Sequence, residues 1–249
     1  MNATNIEWTT VTWNFLTGCT KVSPGCELCY MFQEVIRLRP QRNPRYHNGA
    51  ELTIHPDKLN EPRYKKTPEQ IFVNSMSDFF HEDVPLEIIH EAFRTMNQAD
   101  WHCYQILTKR GRRLAELGPH LPWAEHIWMG VSVENADPIG KASDYAPTDR
   151  IDDLRASGAQ VKWISAEPLI GPLPDLDLTD IDWMVIGGES GPRDAVRRMD
   201  PDWVRDLIAQ CRYYGVSVFV KQLGTALAQE LGLPGKGTDI TQWPADLQV

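Results

Sequence analysis

Three of the chain's five cysteines, Cys19, Cys26 and Cys29, fall within eleven residues in a C-x6-C-x2-C pattern. A C-x2-C pair is a bidentate grip on one metal ion or cluster. Ser23-Pro24-Gly25 is a turn signal that folds the chain back and brings Cys19 towards the other two. An odd cysteine count with this clustering argues against a disulfide framework and for metal or redox chemistry. The number three then matters. Structural zinc takes four protein ligands, and a cluster that only transfers electrons is fully ligated. Three thiolates around a [4Fe–4S] cluster leave one iron open to bind a substrate or cofactor. The alternative is a zinc knuckle completed by His47 or His55, which would make the chain a zinc-stabilised, non-catalytic binding or scaffold protein. A packing role for all three thiols fits poorly, because they lie in a polar Gly/Pro loop.

The elements that must position this motif are legible as apolar and β-branched runs. Candidate strands span residues 10–16, 51–55, 70–76, 101–108, 126–133, 161–166, 183–187 and 216–220. Ile71-Phe72-Val73 and Trp183-Met184-Val185-Ile186 are near-continuous apolar runs, the pattern of strands buried on both faces. Helices are predicted over 85–98, from the spacing of Leu86, Ile89, Phe93 and Met96, and over 110–117. A third is predicted over 200–214, with Asp200 as N-cap, Pro201 at the first position and Gly215 after the end. Strand–helix alternation implies a largely parallel sheet. The expected architecture is a single α/β domain over residues 1–249, a (β/α)8-like, TIM-type barrel, with an open doubly wound sheet as the alternative. The connections 30–50 and 134–160 read as long, irregular functional loops. Cys19 then sits just past the C-terminal end of the first strand, the edge that carries chemistry in a barrel.

That edge is polar throughout. Ser75 and Asp78 follow the third strand, Thr108 and Lys109 end the fourth, and Ser132 and Glu134 end the fifth. Glu167 ends the sixth, Glu189 the seventh, and Lys221 and Gln222 the eighth. On the bland reading these residues make structural ion pairs, such as Lys109 or Lys221 with Glu167 or Glu189.

A three-cysteine motif after the first strand resembles radical S-adenosylmethionine enzymes. The combination of Trp13-Asn14, the cysteine loop ending in Cys29-Tyr30, Ser75-Met76-Ser77-Asp78, Leu107-Thr108-Lys109, Gly130-Val131-Ser132-Val133-Glu134, Ser165-Ala166-Glu167-Pro168-Leu169 and Gly187-Gly188-Glu189-Ser190-Gly191 resembles, more specifically, a phage-associated family of uncharacterised three-cysteine proteins. That family is similar to the spore photoproduct lyase branch of the superfamily. The cysteine loop is three residues longer than the superfamily's usual C-x3-C-x2-C, and the Gly-Gly-Glu run follows the seventh strand rather than lying early in the barrel. The resemblance implies that Cys19, Cys26 and Cys29 hold a [4Fe–4S] cluster whose open iron chelates S-adenosyl-L-methionine. An external electron donor reduces the cluster, and the cofactor is cleaved to methionine and a 5′-deoxyadenosyl radical that takes a hydrogen atom from the substrate. The superfamily's Gly-Gly-Glu role is not carried to Gly187-Gly188-Glu189; on the barrel reading, instead, the strand-end residues crowd one rim, where Ser75, Asp78, Thr108, Lys109, Ser132, Glu134, Glu167, Glu189 and Lys221 are the candidate cofactor-binding residues. The carboxylates and hydroxyls would hold ribose and ammonium, and the lysines a carboxylate or a substrate phosphate. A nucleic-acid base or nucleotide is the substrate class expected from the likeness to a DNA-repair lyase.

Charge bounds the partners. The net charge is −9, yet residues 1–113 carry 14 basic and 13 acidic side chains, so the acidity lies in the remainder. Such a chain is a poor nonspecific nucleic-acid binder. Arg37, Arg39, Arg42, Arg45, Lys58, Arg63, Lys65, Lys66 and the run Lys109-Arg110-Gly111-Arg112-Arg113, with Tyr46 and Tyr64 interleaved, could still form a local basic, stacking face, and solvated loop charge is the alternative. No apolar run is long enough to span a bilayer, so no membrane partner is expected and a cytoplasmic location is the default. Cys211 shares a helix face with Trp203 and Leu207 and is expected in the core, as is Cys103 within its strand.

Overall fold

The computed structural model describes residues 1–38, 43–140 and 144–249. The chain forms two compact units. The first contains Met1–Lys21, Cys29–Gly130 and Asp153–Val161, and the second Val22–Leu28, Val131–Asp152 and Lys162–Val249.

In the first unit, β1 (Asn2–Ala3) pairs antiparallel with β2 (Val11–Trp13). β3 (Leu16–Thr17) pairs antiparallel with β4 (Thr53–Ile54) in a separate two-stranded ladder. β5 (Gln70–Val73) lies parallel to β2 and to β6 (Cys103–Thr108), with Val73 opposite both Trp13 and Ile106. Helices α1 (Tyr30–Leu38), α2 (Glu61–Tyr64), α3 (Leu86–Gln98) and α4 (Gly111–Leu117) complete this part. α3 buries Ile89, Phe93 and Met96, and the Phe93 ring meets Trp123 edge-on at 4.9 Å. Each such side chain taken out of water stabilises the fold by about 1.5–3 kcal/mol.

β7 (Ile127–Ser132), α5 (Arg150–Ala156) and β8 (Val161–Ala166) run from one unit into the other. In the second unit β9 (Trp183–Gly187) is parallel to β8 and to β10 (Ser217–Gln222), and α6 (Pro201–Tyr214) and α7 (Thr225–Glu230) follow their strands. α6 starts where Asp200 accepts a hydrogen bond from the Asp202 amide at 3.0 Å and ends where Gly215 takes a left-handed φ of 74°. Cys211 is buried, with its Sγ 3.6 Å from Met184 Sδ of β9, so its place is in the core. The sheet order is β1-β2-β5-β6-β7-β8-β9-β10, an eight-stranded, mostly parallel α/β arrangement with β1 and β10 at its ends.

The structure departs from the expected elements in three places. The 51–55 segment is not a strand of the main sheet. It forms only Thr53–Ile54, half-buried on β3, because Pro56 opens a 3-10 turn directly after it. The exposed pair Asn2–Ala3 takes a place in the main sheet instead. The 10–16 strand breaks at Asn14 because side chains replace ladder partners there. Asn74 Oδ1 accepts from the Leu16 amide at 3.1 Å, and Asn14 Oδ1 accepts from the Met76 amide at 3.3 Å. The two segments read as irregular contain α1 and α5, whose short apolar faces bury Met31 and Val35, and Ile151 and Leu154.

Candidate functional site

In the first unit the C-terminal ends of β2, β5 and β6 lie side by side by register. Thr108 closes β6, and the segments after the three strands carry Asn14, Ser75, Asp78, Lys109 and Arg110. Ser75 Oγ donates to Asn14 Oδ1 at 3.2 Å, and the Ser75 carbonyl accepts from the Tyr30 hydroxyl. Asp78 is buried and fully engaged. Its Oδ1 accepts from Thr108 Oγ1 at 2.6 Å and from the Phe80 amide at 2.9 Å, and its Oδ2 from the Lys109 amide at 3.0 Å and Arg110 Nη1 at 2.9 Å.

Arg110 links this network to the first cysteine. Nη1 lies 3.7 Å from Cys19 Sγ, Nη2 donates to Thr20 Oγ1 at 2.9 Å and to the Thr20 carbonyl at 3.2 Å, and Nε donates to Glu82 at 3.0 Å. Burial works against the Arg110 charge, yet Asp78, Cys19 and Glu82 hold its pKa above the ordinary arginine value. His81 Nε2 reaches Thr20 Oγ1 at 3.0 Å, and burial and the Arg110 charge push its pKa down. The backbone fixes Cys19 as well. The Gly18 amide donates to the Met76 carbonyl at 3.0 Å and the Cys19 amide to the Ala50 carbonyl at 2.9 Å. Gly18 has a φ of 85°, and a Cβ there would collide with the Glu51 carbonyl, so only glycine fits. Cys19 and Cys29 pack against one cluster of Met31, Val35, Tyr46 and Met76, together with Phe32 and Leu38.

In the second unit two further carboxylate–arginine pairs grip the segment that carries Cys26. Glu134 and Arg150 are completely buried, with Oε2 and Nη1 2.7 Å apart. Arg150 Nη1 also donates to the Ser132 carbonyl at 2.7 Å, and the Ser23 hydroxyl donates to Glu134 Oε1. A Cβ on Gly25 would lie 3.0 Å from Glu134 Oε1, so the loop packs directly on the carboxylate. Glu189 pairs with Arg197, which donates to the Pro24 carbonyl at 3.0 Å and meets Glu27 at 3.2 Å. The Glu189 hydrogen bond raises the Arg197 pKa against a smaller opposing effect of burial. At the ends of β8 and β10, Glu167 Oε1 accepts from Lys221 Nζ at 2.9 Å and Oε2 from Ser165 Oγ at 3.4 Å. This is one of the structural ion pairs weighed above.

The chain matches the family model described as "Protein of unknown function (DUF5131)" over residues 3–241. It belongs to that family. No curated protein and no solved structure matches it. In this DUF5131 chain all five cysteines are thiols. The three motif thiols are a soft donor set suited to iron–sulfur or zinc chemistry. The guanidinium beside Cys19 Sγ and the shared packing of Cys19 and Cys29 suit a half-buried thiolate centre. The donor chemistry therefore fits, while among the described residues no three His, Cys, Asp or Glu side chains are preassembled to hold a metal ion. Each alternative zinc donor has one ring nitrogen in a hydrogen bond, which leaves its other ring nitrogen as the one that could meet a metal. His55 Nε2 meets Thr17 Oγ1 at 2.8 Å, and His47 Nδ1 meets the Pro44 carbonyl at 2.6 Å.

The sequence singles out Arg110 only as part of a basic run and gives no signal for Arg150 or Arg197, because only the fold reveals which carboxylate each arginine meets. The basic face divides. Arg37 pairs with Glu34, Lys58 with Glu61 and Lys65 with Glu69, while Lys66 lies 4.5 Å over the Trp101 ring. Arg39 and Arg42 lie outside the described residues. Among the described residues no helix is long and apolar enough to cross a membrane.

Proposed function

We propose that this protein is a radical S-adenosylmethionine enzyme on a barrel-like α/β fold, with one [4Fe–4S] cluster held by Cys19, Cys26 and Cys29. The observation that carries the reading is how the cysteine segment is held. Asp78–Arg110 engages Cys19 and Thr20, Glu134–Arg150 engages Ser23, and Glu189–Arg197 engages Pro24 and Glu27. Three carboxylate–arginine pairs committed to an eleven-residue loop are costly unless the loop must be pre-organised.

When bound, the cluster and S-adenosyl-L-methionine supply reductive cleavage of a sulfonium C–S bond and hydrogen-atom abstraction from the substrate. The chain's own residues set the conditions. Arg110 presents cationic N–H groups to the Cys19 sulfur. Met31, Val35, Tyr46 and Met76 cover one side of the half-buried Cys19 and Cys29. Asp78, Glu134 and Glu189 meet arginines, Glu167 and Lys221 meet each other and Thr108 meets Asp78, so a bound cofactor would share or displace these contacts; Ser75, Asp78, Thr108, Lys109, Ser132, Glu134, Glu167, Glu189 and Lys221 stand as the candidate cofactor contacts. An external donor supplies the electron, and a nucleic-acid base or nucleotide is the expected substrate class.

The test is anaerobic reconstitution with iron and sulfide, then addition of S-adenosylmethionine and dithionite. Formation of 5′-deoxyadenosine, lost in Cys19→Ala, is the expected result. A cluster-loaded protein that yields none would end the enzyme reading.

A further inference from the structure

We infer that Arg110 is a positioning residue for the cysteine centre, orienting the Cys19 sulfur and raising the reduction potential of the group it holds. The inference rests on the cluster reading above. Arg110 is buried and uses its whole guanidinium. Nε goes to Glu82, Nη1 is shared between Asp78 Oδ2 at 2.9 Å and Cys19 Sγ at 3.7 Å, and Nη2 closes on both oxygens of Thr20. Two of its nitrogens thus hold the Cys19-Thr20 dipeptide while Asp78 fixes the guanidinium plane. Asp78 is itself locked by Thr108, Phe80 and the Lys109 amide, so the arrangement is anchored to the ends of β5 and β6.

A cationic N–H aimed at a ligand sulfur stabilises the more negative, one-electron-reduced state of a cluster, and burial keeps water from screening it. Removing Arg110 acts twice, because it deletes that donor and leaves the Asp78 carboxylate uncompensated nearby. Lysine cannot replace it. An ammonium is a compact point charge and cannot bridge Glu82, Asp78, Cys19 and Thr20 at once.

The experiment compares wild type, Arg110→Lys and Arg110→Gln after anaerobic reconstitution. Iron per chain is measured, and the midpoint potential is read by electron paramagnetic resonance during a redox titration. Both variants are expected to shift to more negative potential, with Gln shifted further than Lys. For Gln the reduced-to-oxidised ratio at a fixed potential should fall at least tenfold, which is ~59 mV for one electron. If Arg110→Gln does not fold, Arg110→Lys decides, since it keeps the charge beside Asp78. A folded variant with wild-type iron content and wild-type potential overturns the inference and leaves the cluster reading standing. A wild-type protein that takes up no iron and sulfide overturns the cluster reading and this inference with it.

Discussion

Glu134→Gln should cost far more than an ordinary polar substitution. Glu134 and Arg150 side chains are both 0% exposed, and Glu134 is the carboxylate paired with Arg150 among the described residues. Arg150 Nη1 already divides itself between Glu134 and the Ser132 carbonyl, and Nε and Nη2 have no partner there. Glutamine keeps the shape, and its one amide oxygen can still accept from Arg150 while its NH2 turns to the Ser23 hydroxyl, but it leaves a cation in a low-dielectric interior without its counter-charge. Breaking a buried pair in this way costs about 3–5 kcal/mol. For a chain of this size that is a fall of about 6–20 °C in Tm, at roughly 2–4 °C per kcal/mol. Arg150→Met should be comparably damaging. The double variant should recover much of the loss, because the two charges vanish together. Urea and thermal unfolding followed by circular dichroism measure all four corners of the cycle. Single variants that each lose less than about 1 kcal/mol, or losses that simply add, would refute the reasoning.

Four further outcomes follow from the geometry. Burial pushes the Cys103 thiol up to about 11 and the Cys211 thiol up to about 12. At pH 8 each is a thiolate in about one molecule in a thousand or fewer, so iodoacetamide followed by peptide mass spectrometry should label the motif cysteines first. Burial and neighbouring cations, Arg45 for His55 and Arg110 for His81, lower both histidine pKa values below their ordinary 6.5. Their stabilising contribution is therefore present above about pH 6.5 and lost as pH falls through the lower folded values, so Tm should drop between pH 7.5 and 5.5 and drop less in His81→Gln. Gly18→Ala forces a Cβ into the Glu51 carbonyl at positive φ and should lose at least about 2 kcal/mol in urea unfolding; a wild-type midpoint would contradict the placement of Cys19. Glu167→Gln should reduce cofactor cleavage while leaving cluster colour intact, and unchanged cleavage would remove Glu167 from the candidate contacts.

What was legible in the sequence depended on how local its cause is. Strands 161–166 and 183–187 and the helix from Pro201 are in place because long apolar runs, an Asp-Pro start and a Gly stop act through neighbouring residues. The turn at Ser23-Pro24-Gly25 likewise forms a 3-10 helix, Pro24–Cys26. β1, α1 and α5 were not legible, since two exposed residues or one short apolar face carry little signal without the partner they pack on. The rim residues were legible as types but not as roles. Asp78 meets Arg110 across 32 positions, Glu134 meets Arg150 across 16 and Glu189 meets Arg197 across 8. Those pairings are set by tertiary structure, and they commit three carboxylates to holding the cysteine segment.

Metal and sulfide analysis of anaerobically purified protein, beside the Cys19→Ala, Cys26→Ala and Cys29→Ala variants, tests the central claim most directly. The account predicts about four iron and four sulfide per wild-type chain, lost on replacing any one of the three cysteines and retained in Cys103→Ser. Stoichiometric zinc without iron and sulfide, or a cluster that survives loss of Cys19, Cys26 or Cys29, would contradict it.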